Sequence, residues 1–432
     1  MRDMHIAGGM LALAGRPGMG VRDALRVLLV AVALSLAFAP GAHAAKAVHV
    51  SCGETITVDT RLANDLIDCQ NNGLIIGADN ITLDLNGHTI DGAGRDNSGA
   101  DCRDGNCAGI DITGHHRRIT IEDGTVQEFG SGIWIEGGAD HRLRRLSLSR
   151  NGDGIDVVSA TDTAITRSLV DGNVFGIFVA DSDHIQIERN SVSGYQGVGV
   201  EVRGSDRVLI ADNSVSDSLG PGSVVVGEAA GIFLGESSHS QIERNAVSGN
   251  AFVGVIAQDS DRNELSGNRI FKNADAMIVH GDANTVSGNR ISDALGGGDG
   301  NGYGIVLESG RKNVLERNTV ERTAQAGIRV GIDPEPPPVI GSVVRLNVIR
   351  DTTLDGILVD ALASDTLLDR NRAETAGDDG IGVESASTTL TRNTANANHD
   401  LGIEAIPGIT DGGGNKASGN GNPLQCTNVF CR

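Results

Sequence analysis

At 432 residues and a net charge of −21, the chain has room for several domains or one long array, and its acidity excludes ready binding to nucleic acid or to an anionic lipid surface. Hydrophobic residues reach 39% and charged residues 21%, so a packed core is available. The 60 glycines and 9 prolines fit neither a collagen-like nor a disordered chain.

In chain order, residues 1–44 come first. An apolar run from Val27 to Ala39 follows Arg22 and Arg26, Pro40 and Gly41 break it, and Ala42-His43-Ala44 supplies a small-x-small cleavage site. This reads as a cleaved export signal, with Met19 as an alternative start. The run is too short to span a bilayer, and no other segment is a candidate span. Residues 1–44 carry a surplus of two positive charges, so the remainder carries −23. All six cysteines follow the signal, in three local pairs: Cys52 with Cys69, Cys102 with Cys107, and Cys426 with Cys431. Six cysteines allow 15 connectivities. Local pairing in an oxidising compartment is the favoured one, which places the protein in the periplasm or outside the cell.

From Gly73 onward one phrase recurs: GLII, GIDI at Gly109, GIWI at Gly132, GIDV at Gly154, GIFV at Gly176, GVEV at Gly199, GIFL at Gly231, and so on to GIEA at Gly402. Most steps are 22 to 24 residues, and an Asn follows each Gly by about fourteen positions, from Asn190 to Asn393. Self-similarity at this period marks a solenoid. The segments are short, rich in Val and Ile, and punctuated by Gly, Asn, Asp and Ser, which is the grammar of strands and turns. About 22 residues with three short strands make one coil of a parallel β-helix. The expected fold is therefore all-β, a right-handed parallel β-helix of thirteen to fourteen coils. The Asn is expected to take a left-handed backbone at a turn, its amide bonding its equivalents in the coils above and below. The expected layout is a signal peptide over 1–44, an N-terminal cap and first coil with disulfides over 45–108, repeats over 109–415 and a disulfide-closed tail over 416–432.

These repeats resemble the secreted right-handed parallel β-helix repeat proteins, which share their fold with pectate lyases and alginate epimerases. The segment CGETITVDTRLANDLIDCQNNGLIIGADNITLDLNGHTIDG, Cys52 to Gly92, is similar to the N-terminal coil of exported members, and the likeness covers about residues 50–420. It implies the fold and leaves function open, because the fold hosts hydrolases, lyases, epimerases and non-enzymatic binders. NGDGIDV, Asn151 to Val157, resembles the Asn-x-Asp-Gly-x-Asp strand of polygalacturonases, which would match Asp153 to an acid of that site. The following coils, DGNVFGIFV and QGVGV, depart from that family's paired aspartates and Gly-His-Gly, and no Arg-x-Lys follows.

In G-I-x-V the aliphatics point inward and x points outward. The x residues form a column: Asp111, Trp134, Asp156, Phe178, Glu201, Phe233, Ile256, Ile278, Val306, Arg329, Leu358, Gly382 and Glu404. Its first six alternate acid and aromatic. Residues 91–108, 217–230, 292–303 and 331–341 insert beside the same strand, as walls of a groove would. The stretch Ile256, Ile278, Val306 is expected to lie under one of these insertions, and Phe129 and Phe252 to turn inward at the core corner. Aromatics offer stacking faces to sugar rings, and carboxylates accept from their hydroxyls. Expected substrate-binding residues are Trp134, Glu136, Phe178, Phe233, Tyr195 and His280. Expected catalytic residues are Asp156 and Glu201 as acid and base, Asp153 at the strand entrance, and Arg203 as their orienter.

The expected protein is a monomer that binds an extracellular polysaccharide and cleaves or epimerises it, as a glycoside hydrolase, lyase or epimerase. No cofactor is required, although Asp153, Asp156 and Glu136 could hold Ca²⁺ and bridge a uronate. The main alternative is a non-catalytic carbohydrate-binding or adhesin-like β-helix. A lesser one is copper handling, for which only Met277 and the adjacent His115 and His116 would be on offer.

Overall fold

The computed structural model describes residues 46–94, 107–219, 229–297, 301–331 and 338–432. Every regular element among them is a strand, and no helix there is long and apolar enough to cross a membrane. The export signal and Cys102 lie outside the described residues, as does most of the four insertions.

Fifteen parallel strands stack in one sheet, from Glu54–Ile56 to Ile403–Ala405. The other two strands of each coil form a second sheet of 29. They are joined because Thr120–Gln127 and Arg142–Ser149 run through both tracks, each pairing with two short strands of a neighbouring coil. The β-helix expected from the repeats is what the chain forms. It has about fifteen turns rather than thirteen to fourteen, because Glu54–Ile56 already pairs with Leu74–Ile76, one coil ahead of the first repeat read from the sequence. Cys52–Cys69 and Cys426–Cys431 are bonded as expected, with Cα–Cα distances of 5.5 and 6.3 Å. Cys107 is also disulfide-bonded.

The core is a set of columns. Ile133, Ile155, Ile177, Val200, Ile232, Val255 and Met277 are register partners in successive coils, and all are fully buried. Such burial contributes about 1.5–3 kcal/mol per side chain. Because the chain advances one coil per repeat, a single aliphatic position in the repeat becomes a continuous apolar stack.

The Asn column is buried and forms a ladder from Asn190 to Asn415. In each step one amide oxygen accepts twice from the coil before it: Asn268 Oδ1 takes the Asn245 N–H at 2.9 Å and the Asn245 Nδ2 at 3.1 Å. Asn268 Nδ2 then donates to the Ile242 carbonyl at 2.7 Å. The expected left-handed backbone at these Asn residues is not found. Positive φ falls on the residue before each, including Arg189, Asp212, Arg244, Arg317, Arg370 and Arg392. The physical reason is directional. The corner residue points its side chain to solvent, where a long Arg is tolerated, and the next residue turns inward, where only a side chain carrying both donor and acceptor satisfies the buried backbone.

Two further ladders went unread in the sequence. Ser240, Asn263, Asn284 and Asn313 are linked at one corner. Asn151–Asn173 and Asn250–Asn273 are linked at another.

Asn268→Ala is expected to cost about 3 kcal/mol, since it strands a buried N–H and a buried carbonyl. Arg189→Gly, at the corner itself, should stay within about 1 kcal/mol of the parent, because relief of the left-handed backbone offsets the added chain entropy. Denaturant midpoints of the two variants check this.

Candidate active site

The outward column is realised residue for residue. Register partners run Asp111, Trp134, Asp156, Phe178, Glu201, Phe233, Ile256, Ile278, Val306, Arg329, Leu358, Gly382, Glu404. Exposure along it is uneven. Trp134, Asp156 and Phe178 are half-buried, whereas Glu201 is 5% exposed and Phe233 1%.

A cleft of about 290 Å³ lies between these coils, lined by Asp153, Asp156, Phe175, Phe178, Val198, Glu201 and Arg203. Three carboxyl groups share it. Burial is the main force pushing Asp153 up, to about 8, with the Asp156 and Glu201 charges and the Asp156 hydrogen bond adding to it. Burial also raises Asp156, as does Glu201, against the lowering effect of hydrogen bonds from Ser131 and Asp153. The Ser131 hydroxyl donates to Asp156 at 3.1 Å. Both carboxyl groups are thus pushed above the ordinary carboxylate range. Glu201 accepts from the Arg203 guanidinium, which also stacks 4.5 Å from the Phe233 ring centroid. Asp156 and Glu201 stand two coils apart, a backbone separation of about 9–10 Å.

Sequence reasoning placed Asp153, Asp156, Phe178, Glu201 and Arg203 correctly in one place. It did not identify Ser131 or Val198, and it grouped Phe175 with the aromatics of this face without assigning it to the site. Ser131 and Phe175 are the register partners of Asp153 in the coils before and after it, so an alignment of that position would have found them.

Other expectations need correction. Tyr195 is fully buried and its hydroxyl bonds Asn250, so it fills a core corner and offers a ligand no face. Phe233 packs with Val198, Ala230, Phe175 and Ile256 beneath Arg203, so its ring is not a platform. His280 lies beyond the Phe233 coil, next to Glu308 and Ser309, and does not reach the cleft. Glu136 and Trp134 share the outward face upstream but do not line the cleft. Carboxylates close enough to share a cation among the described residues are Asp378, Asp379 and Asp400, near the last coils, and not Asp153, Asp156 and Glu136. Phe129 turns inward, as expected. Val306 is 1% exposed and packs with Tyr303 of the 292–303 insertion and with Ala326, whereas Ile278 beside it is half-buried and Ile256 packs with Phe233 instead, so the expected cover reaches only part of that stretch.

A second acidic recess lies on the same face near the end of the helix, lined by Asp355, Asp378, Asp379, Glu384 and Glu404. Burial pushes Asp355 up to about 7 and Asp379 to about 8, and neighbouring carboxylates add to both.

Raised carboxyl groups carry a definite sign. Each contributes stability that is complete below the ordinary carboxylate range and lost as pH rises through the folded value. The melting temperature is therefore expected to fall between pH 5 and 9. Asp153→Asn should flatten that fall and exceed the parent at pH 9, with Asp355 and Asp379 leaving a residual slope. Melting curves across that range check it.

Comparison with known proteins places these features. The profile described as "Right handed beta helix region" matches residues 175–331 and 278–428, more than half of the chain. The profile described as "Periplasmic copper-binding protein (NosD)" matches residues 53–229. No curated protein matches the chain. Among solved structures, the N-terminal fragment of gene product 12 from bacteriophage Phi29 is similar, with a TM-score of 0.56 at 12% identity, covering 87% of this chain and 66% of that one. The periplasmic alginate epimerase AlgG gives 0.44 at 14% identity, covering 80% and 78%. PfbA, a surface adhesin of Streptococcus pneumoniae, gives 0.43 at 11% identity, covering 73% and 86%. At such identities the likeness is one of fold alone. The chain belongs to the right-handed β-helix family.

Proposed function

We propose that the cleft binds a glycan in a compartment outside the cytoplasm and acts on it by acid–base chemistry, with glycosidic hydrolysis as the reaction best supported. One arrangement carries the reading: two buried carboxyl groups, Asp153 and Asp156, pushed above the ordinary carboxylate range by burial, beside a third carboxylate and between two half-buried aromatic rings. A general acid must hold its proton at the working pH, and burial is how a carboxyl group does so. Asp153 donates that proton to the glycosidic oxygen as the bond to the sugar carbon breaks. Glu201, two coils away, takes a proton from the attacking water, for which that separation leaves room, while Asp156 shares a hydrogen bond with the acid. Arg203 positions Glu201 through its hydrogen bond. Phe178 and Phe175 flank the ring, and Trp134 stacks the next unit. The acid role thereby moves to Asp153, from the Asp156–Glu201 pair expected from the sequence. Export is supported by the disulfides, which persist in oxidising compartments.

An acidic cleft favours a neutral glycan. A uronan would need Ca²⁺ between its carboxylates and the protein's, and elimination or epimerisation would also need a cation at the uronate. A second reading rests on the copper-binding profile over residues 53–229. Copper would find Met277 in the core and Cys52, Cys69, Cys107, Cys426 and Cys431 in disulfides, leaving the His115–His116 turn, where His116 bonds Asp79 at 3.3 Å.

The test is a polysaccharide screen of the protein lacking residues 1–44, with calcium and with chelator, reading new reducing ends and the ultraviolet absorbance of unsaturated uronates. Reducing ends without absorbance are expected. Asp153→Asn, Asp156→Asn and Glu201→Gln should each lower the rate by about 100-fold or more. Activity should also fall as pH rises through about 8, where Asp153 loses its proton. Unmoved rates in the three variants would overturn the assignment. Retardation by a polysaccharide without turnover would favour the binding protein, and tight copper uptake without glycan binding would favour the second reading.

A further inference from the structure

We propose that the cleft recognises the end of a glycan chain: its terminal unit sits in the cleft and the rest runs toward the N-terminal coils, past Trp134. This rests on the reading of the cleft as a glycan site and adds the mode of recognition. The geometry points to it because Arg203 and Phe233 wall the cleft off on the side of the later coils, whereas the column stays open toward Trp134.

On the side of the later coils, the residue after Glu201 is Phe233, 1% exposed and packed against Val198, Ala230, Phe175 and Ile256. Its ring lies over Gly235, where a Cβ would stand 2.5 Å from the ring, and Arg203 covers it while bonded to Glu201. Arg203 and Phe233 therefore form a wall. Farther along, Val306 is covered by Tyr303 and Ala326, and Arg329 is fixed to Asp360 at 2.8 Å. Between that wall and Val306 only Ile256 and Ile278 are half-buried, two apolar positions cut off from the cleft by Phe233 and Arg203.

On the other side the column stays accessible through Asp156 to Trp134. One coil earlier, Asp111 is buried and committed to Asn72 and Thr113, at 2.8 and 2.6 Å. The usable stretch from Trp134 to Glu201 spans three coil steps, about 14 Å. The 290 Å³ cleft holds about ten waters at liquid density, the bulk of about one sugar ring. One ring in the cleft and one or two toward Trp134 fill the available site.

End recognition and recognition along a chain differ in stoichiometry. The probes are polygalacturonate, alginate, xylan and a soluble β-glucan, each intact and shortened about tenfold. Trp134 is the single tryptophan, so intrinsic fluorescence reports this coil alone. For any probe that binds, the shortened form should half-saturate the fluorescence change at about one tenth of the mass concentration, because it offers ten times the ends. Oligomers of that glycan should stop gaining affinity at about three units. Equal half-saturation by mass, or affinity still rising at six units, would overturn end recognition and leave the glycan site standing. Absence of binding by every probe, in fluorescence and in gel retardation, would overturn the glycan reading and end recognition with it.

Discussion

Hydrogen bonding between successive coils is the constraint on which everything else depends. Each coil pairs with the next in parallel register, so any position of the repeat becomes a straight column at one residue per coil. A column inside the helix must then be uniformly apolar, or polar in a way that satisfies itself. The aliphatic stack does the first and the Asn ladder the second. Ladder Asn residues succeed because one amide can accept from the coil before and donate to a carbonyl at once. The same register that stacks Asn on Asn also stacks Asp156 between Trp134 and Phe178.

That stacking makes the outer face of the first sheet a place where unlike residues are forced together. Asp153, Asp156 and Glu201 would each be harmless in water. Held within two coils of one another and half-covered by Phe175, Phe178 and Val198, they repel one another and lose hydration, which pushes Asp153 and Asp156 above the ordinary carboxylate range. The carboxyl cluster costs folding free energy as pH rises, and its raised groups are the ones that the proposed acid–base chemistry would use. Arg203 limits the strain by pairing with Glu201, and in doing so it bounds the cleft against Phe233.

The sequence was legible wherever the repeat was. The G-I-x-V register predicted the outward column without error over thirteen coils, and the ladder from Asn190 to Asn393 was visible as spacing alone. It misled where one residue's direction mattered. The left-handed corner lies one position ahead of each Asn, because a turn residue faces outward and a satisfying amide must face inward. Tyr195 and Phe233 were expected as ligand platforms because they sit at the right place in the repeat. The fold buries them, Tyr195 into a corner to reach Asn250 and Phe233 beneath Arg203.

By itself, the sequence determined the solenoid, the register of its columns and the identity of the carboxylates that share the first face, since all three follow from a period and an alternation written in local residue choice. Only the tertiary structure decided which part of that face is open. Burial of Phe233 and Val306 and the wall at Arg203 depend on side chains from different coils and from insertions meeting in space. No periodicity encodes such contacts, because they arise where the repeat is broken.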